Sequence, residues 1–123
     1  MMKKILITIF ILIAFKASAV DKSTTFTMEK FYNAQSEGKT VVINSWNETC
    51  PTCAKQIIIL DEAQKNFNNI LFLSFEQQID KEIAEFLKIE YWTTIVAYKD
   101  NKEVFRSIGQ TNKSKIYSFI KSL

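Results

Sequence analysis

From Phe26 onward the chain alternates between segments with helical spacing and short, nearly unbroken apolar runs. Phe26 to Glu37 has the helical pattern, with Met28, Phe31 and Tyr32 inward, Thr25 or Thr27 as cap and Gly38 as the stop. Thr40 to Trp46 is apolar almost throughout, as in a strand buried on both faces. Pro51 to about Phe67 predicts a second helix whose stripe is Cys53, Ile57, Leu60 and Phe67. Asn68-Asn69 breaks it, and Ile70 to Phe75 forms a second apolar strand. Ile79, Ile83, Phe86 and Leu87 mark a third helix. Thr94–Tyr98 and Glu103–Ile108 flank an Asp100-Asn101 turn and read as a hairpin. The last helix carries Ile116, Phe119, Ile120 and Leu123 on one face.

The resulting order is α-β-α-β-α-β-β-α, with no repeat, low-complexity tract or linker, so it predicts one α/β domain. The first two strands form a right-handed βαβ unit and are parallel. The hairpin adds two strands beside the first, which gives a four-stranded mixed sheet covered by helices.

The N-terminus has a different pattern. Lys3 and Lys4 precede an apolar stretch from Ile5 to Phe15, and Ala17-Ser18-Ala19 supplies an Ala-x-Ala cleavage pattern. The apolar stretch is shorter than the ~20 residues a membrane span needs. Residues 1–19 are therefore expected to be a signal peptide and residues 20–123 the exported domain, in a periplasm-like compartment. An uncleaved anchor is the alternative, given the unusual Lys16. This segment also changes the meaning of the charge. The net +3 comes from Lys3, Lys4 and Lys16, so the rest of the chain is balanced and has no basic nucleic-acid footprint.

Composition excludes several chemistries. The chain has no histidine, which removes Ser-His and Cys-His dyads and any His-containing metal site. Its 2 cysteines cannot complete a four-sulfur zinc site alone. Both lie in Cys50-Pro51-Thr52-Cys53, between the first strand and the second helix. At the N-cap, Cys50 would lie beside unpaired N–H groups and the positive end of the helix dipole, which favour thiolate over thiol. Pro51 suits the first helical position, where its missing N–H is no loss. One turn on, Cys53 is placed to attack a mixed disulfide at Cys50. As a structural staple the pair would achieve little, because closing so short a loop contributes only about 2 kcal/mol.

This order, with Cys-x-x-Cys after the first strand of the βαβ unit, resembles the thioredoxin fold. Trp46 stands where that family carries the tryptophan of its Trp-x-x-x-Cys-x-x-Cys run. Ile59-Leu60-Asp61-Glu62 is similar to the family's helix sequence, Tyr98–Glu103 to its hairpin, and Gly109 to a glycine closing the last strand. Pro51-Thr52 is similar to the dipeptide of exported cytochrome c maturation reductases. There are three departures. Asn44 stands where the family places a buried aspartate beneath the second cysteine, and an amide cannot accept a proton. Thr49 replaces an aromatic residue, and Thr93 replaces the family's cis-proline. A cis bond before a residue other than proline costs about 2.5–4 kcal/mol, which favours trans at Trp92-Thr93.

The resemblance implies an exported thiol–disulfide oxidoreductase that exchanges disulfides with protein cysteines. Cys50 is the expected nucleophile and Cys53 the resolving thiol, supported by Trp46, Pro51, Thr52 and Asn44. Tyr91, Trp92, Thr93 and Thr94 are expected to bind the client, with Thr93-Thr94 pairing along its backbone. No dissociable cofactor is implied, because the cysteine pair carries both electrons. The expected partners are protein thiols and disulfides, with a membrane or soluble thiol protein as electron partner and no nucleic acid, and the chain is expected to be monomeric. A Cu(I) carrier using both thiolates and a redox-inert interaction module remain as alternatives.

Overall fold

A computed structural model of the chain describes residues 24–123, so the expected signal peptide and its cleavage after Ala19 lie outside the described residues. Helix α1 (Met28–Ser36) starts where the Thr27 hydroxyl accepts the Lys30 N–H at 3.1 Å. It ends where Gly38 takes φ +74°, with Gly38 and Lys39 donating N–H groups back to Gln35 and Ala34. Only glycine adopts this left-handed closure without strain. Of the three residues expected inward, only Phe31 is buried, beside Ala34 and Gln35. Met28 and Tyr32 are exposed, and the Tyr32 ring packs edge-on over Phe31 and Phe86 as a lid on the core.

Strands β1 (Thr40–Trp46), β2 (Ile70–Glu76), β3 (Thr94–Lys99) and β4 (Lys102–Ile108) form one sheet in the order β2-β1-β3-β4. β1 and β2 are parallel and the other pairs antiparallel, as the apolar pattern predicts. Asp100 and Asn101 both have positive φ, 52° and 61°, which is the turn whose twist suits a two-residue hairpin. Asn101 donates its N–H to the buried Gln35 side chain at 2.6 Å, tying the hairpin to α1. Beyond β2, Thr25 bridges Ser74.

Side chains of successive strand residues alternate between faces. Val41, Ile43, Leu73, Phe75 and Val96 join Phe26 and Phe31 in one core. Val42, Phe72, Ile95 and Ala97 face the opposite core, beneath α2 (Pro51–Asn66) and α4 (Lys113–Lys121). Helix α3 (Lys81–Leu87) is shorter than its apolar markers predict. Ile79 precedes it and is exposed, as is Phe86, whereas Leu87 is buried and Ile83 packs at the edge of the core. Leu123 packs against the second core from just beyond α4. No helix among the described residues is long and apolar enough to cross a membrane.

Candidate active site

The site lies where β1 passes into α2. Asn47, buried in this loop, accepts the Thr49 N–H at 3.0 Å and the Thr49 hydroxyl at 2.8 Å on its side-chain oxygen, and the Cys50 N–H on its carbonyl. Such an Asx turn sets the direction from which the chain enters the helix. Cys50 is then the N-cap of α2, and its sulfur accepts the Cys53 N–H at 3.1 Å, with Pro51 in the first turn. The structure is that of the oxidised protein, with Cys50 and Cys53 joined as a disulfide whose Cα atoms are 5.2 Å apart. Cys53 is 1% exposed and Cys50 half-buried, so an incoming thiol reaches Cys50 first. One N–H already aimed at the Cys50 sulfur, with the helix dipole behind it, stabilises negative charge there after reduction.

Opposite the sulfurs is the segment leading into β3. The Thr93 hydroxyl oxygen lies 3.1 Å from the Cys53 sulfur and 3.5 Å from that of Cys50. Disulfide sulfurs carry no proton, so the hydroxyl is the donor. The peptide bond before Thr93 is trans, and Thr93 itself has φ +61°. For a β-branched residue that conformation is strained by about 1–3 kcal/mol and persists only if its surroundings hold it. Three hydrogen bonds do so. The Thr93 N–H donates to the Ser45 carbonyl at 3.0 Å, and the Thr93 carbonyl accepts from the Gly109 N–H at 2.9 Å and the Gln56 amide at 3.2 Å. Gln56, fully buried in α2, also donates to the Gln110 carbonyl at 2.9 Å. The helix that carries Cys53 is thereby clamped to the strand entry and to the loop after β4.

Cys50, Thr52, Glu90, Tyr91, Trp92, Thr93 and Ile108 line an open groove of about 490 Å³. Its rim is apolar, with Tyr91, Trp92 and Ile108 all exposed. A separate cavity of about 30 Å³ lies between β1, β2 and α2, lined by Asn44, Ile57, Leu60, Asp61 and Ser74 among others. Asn44 is buried there, and its Nδ2 has no hydrogen-bond partner among the described residues.

The thioredoxin family model matches residues 22–122. The chain belongs to the thioredoxin family. Among curated proteins it is 31% identical over 81 residues to a Thioredoxin H-type of Fagopyrum esculentum, covering 66% of this chain and 70% of that protein. Thioredoxin H5 of Arabidopsis thaliana is 27% identical over a stretch of the same length, with coverage of 66% and 69%. A solved structure of Trxlp from Edwardsiella tarda superposes with a TM-score of 0.73 at 23% identity, covering 77% of this chain and 94% of that one. For oxidised mitochondrial thioredoxin 3 of Saccharomyces cerevisiae the TM-score is 0.71 at 22% identity, with coverage of 81% and 94%. These two structures are similar in fold.

This member of the family is a thiol–disulfide oxidoreductase whose Cys50-Cys53 pair forms the disulfide. Around the pair, the fold brings together Pro51, Thr52, Trp92 and Thr93, with Tyr91 on the rim of the groove. Trp46, half-buried, ends β1, and Asn44 lies two residues earlier on the face toward α2. Thr93 and Thr94 are buried, and their N–H groups are directed inward to the Ser45 carbonyl and hydroxyl oxygens. A client backbone pairing with these two residues does not fit that arrangement, because the donors already have partners. In the same segment the Trp92 main chain makes no hydrogen bond among the described residues.

Sequence reasoning missed Ser45, Asn47 and Gln56. Ser45 is fully buried, donates its hydroxyl to the Tyr91 carbonyl at 3.0 Å and accepts the Thr94 N–H. Polar residues in an apolar strand or on an inward helical stripe are the signal that points to such roles, because a buried polar group needs a partner. No group of three or more His, Cys, Asp or Glu side chains gathers around a metal-sized space among the described residues.

Proposed function

We propose that this thioredoxin-family protein acts after export, exchanging disulfides with extended segments of protein clients. The observation that carries this reading is the asymmetry of the pair: Cys50 at the helix N-terminus opens onto an apolar-rimmed groove, and Cys53 is sealed behind it. Cys50 attacks the client disulfide and Cys53 resolves the adduct, so no dissociable cofactor takes part. Trp92 offers a main-chain N–H and carbonyl to the client, and the Tyr91, Trp92 and Ile108 side chains cover its apolar residues. A membrane or soluble thiol protein restores the starting redox state. Export rests on the Lys3-Lys4, apolar and Ala17-Ser18-Ala19 sequence alone.

Trapping tests the chemistry. Cys53→Ser should accumulate disulfide-linked clients through Cys50, and Cys50→Ser should accumulate none. In the reduced wild type, alkylation should reach Cys50 first. Capture through Cys53, or preferential alkylation of Cys53, would overturn the assignment.

A further inference from the structure

The groove beside Cys50 has one carboxylate in its lining, that of Glu90, among otherwise uncharged side chains such as Thr52, Tyr91, Trp92 and Ile108. Glu90 is exposed, and among the described residues its carboxylate has no ion-pair partner. We propose that the groove selects client segments with a lysine or arginine beside the disulfide cysteine, and that Glu90 is the residue that sets this preference. The proposal rests on the functional reading above: Cys50 attacks, and Glu90 decides which clients dwell beside it.

The backbone on either side of Glu90 is fixed. Ile89 is buried in the first core, and the Glu90 carbonyl accepts the Gln77 side-chain amide at 3.0 Å. The next carbonyl, that of Tyr91, accepts the Ser45 hydroxyl at 3.0 Å and the Thr94 hydroxyl at 2.6 Å. The carboxylate is thus anchored at the groove, with little beyond its own side-chain freedom to lose on binding. Tyr91, Trp92 and Ile108 on the same rim are 60%, 38% and 56% exposed. This combination suits a cation on an apolar stem. Lysine and arginine lay their methylenes along such a surface and keep the charged head at its edge. There a carboxylate pairs with the head, and tyrosine and tryptophan rings attract it through their faces. An acidic client residue would be repelled, and an aliphatic one would bring the stem without the charge.

The preference belongs to the groove and not to the field of the whole protein. Lys3, Lys4 and Lys16 leave 13 of the 16 basic residues beyond position 19, against 13 acidic ones, so no net charge there draws cations. Glu48 and Lys55, on either side of the cysteine pair, are exposed, opposite in sign and outside the groove lining. Recognition makes no new bond and leaves the sulfur chemistry unchanged. It raises only the rate at which a client disulfide is presented to Cys50.

Single-turnover reduction of disulfide-linked peptide dimers tests this. Each short peptide has one central cysteine, with lysine, norleucine or glutamate placed at each neighbouring position in turn. Reduced full-length protein is mixed with excess peptide and quenched in acid, and the released peptide thiol is measured by chromatography. Dividing each rate ratio by the one found with dithiothreitol removes the effect of the charge on the disulfide itself. After this correction, lysine at the favoured position should react about three- to fivefold faster than norleucine in wild type, and glutamate slower. Glu90→Gln should bring the lysine ratio close to one, and Glu90→Lys should invert the preference toward glutamate. Glu48→Gln should keep the wild-type ratio. In about 1 M sodium chloride, where the screening length is about 3 Å, the wild-type ratio should shrink.

A ratio of one or less at every position in wild type would show a purely apolar groove and overturn selection by charge. Persistence of the lysine preference in Glu90→Gln, or an equal loss of it in Glu48→Gln, would overturn the assignment to Glu90. Failure of the wild type to reduce any of the peptides would instead overturn the underlying redox reading.

Discussion

Thr93 concentrates two opposing demands. Its hydroxyl is held against both sulfurs, and its backbone is held where a β-branched residue is strained. After reduction the same hydroxyl can donate to a thiolate, and the shorter distance is to Cys53. Thr93→Val should therefore raise the thiol pKa values and make the disulfide less oxidising, as measured by thiolate absorbance and equilibrium with glutathione. The Thr93 N–H does not take part, since it is bonded to the Ser45 carbonyl.

Asn44 is the second residue to test. Its Nδ2 is buried without a partner among the described residues, and Asp61 lines the same small cavity. In Asn44→Asp, burial should raise the new carboxyl's pKa in the folded protein above its unfolded value of about 3.9. The native state then binds the extra proton. Stability relative to wild type should fall as pH rises from about 4 through that raised pKa, by about 1.4 kcal/mol for each pH unit that separates the folded and unfolded values. Denaturant melts across pH check the sign, and a variant equally stable at all pH values would show that the cavity solvates the charge.

Among the elements, the hairpin and α3 show where local sequence conflicts with or supports the structure. Asp100 and Asn101 both adopt positive φ, which glycine tolerates better. Asn101→Gly keeps the N–H that bonds Gln35 and should stabilise the protein by about 0.5 kcal/mol, read as a raised Tm. Helix α3 ends against Arg106, whose guanidinium donates to the Leu87 carbonyl at 2.8 Å and the Lys88 carbonyl at 2.9 Å. Glu103 bonds the same guanidinium, and chiefly through this bond the pKa of Arg106 is raised. A cation at a helix C-terminus is worth about 0.3–1 kcal/mol at an exposed site. Arg106→Ala should cost about 1–2 kcal/mol, because two carbonyls lose a charged donor as well. Arg106→Lys should recover only part, since an ammonium lacks the planar fork.

For the whole molecule, two nearly independent cores on either side of one sheet carry the fold, and the disulfide closes only a short loop. Reduction should therefore leave the protein folded, with a stability loss of no more than about 2 kcal/mol. Melting with and without reductant measures it, and unfolding on reduction would contradict this view of the cores. If export occurs as proposed, the mature protein begins near Val20, and N-terminal sequencing of the exported fraction checks this. An intact Met1 with membrane retention would favour the anchored form.

Much of this was determined by the sequence alone. The apolar run of β1, the helical stripe of α4, the Asp100-Asn101 turn and the Cys50 N-cap are local patterns. Each is set by residues within a turn or a strand of one another, so spacing and capping chemistry suffice to read them. Tertiary structure decided what depends on residues far apart in the chain. Met28, Tyr32, Ile79 and Phe86 are large hydrophobic side chains like their buried neighbours, yet they stay exposed once the elements pack together. The groove, the strained backbone at Thr93 and its distances to both sulfurs arise only when β1, the entry to β3, α2 and the Gly109–Gln110 loop meet. Hydrogen bonds spanning dozens of residues, such as Gln56 to Thr93 and Ser45 to Tyr91, fix that meeting, and no local spacing encodes their partners.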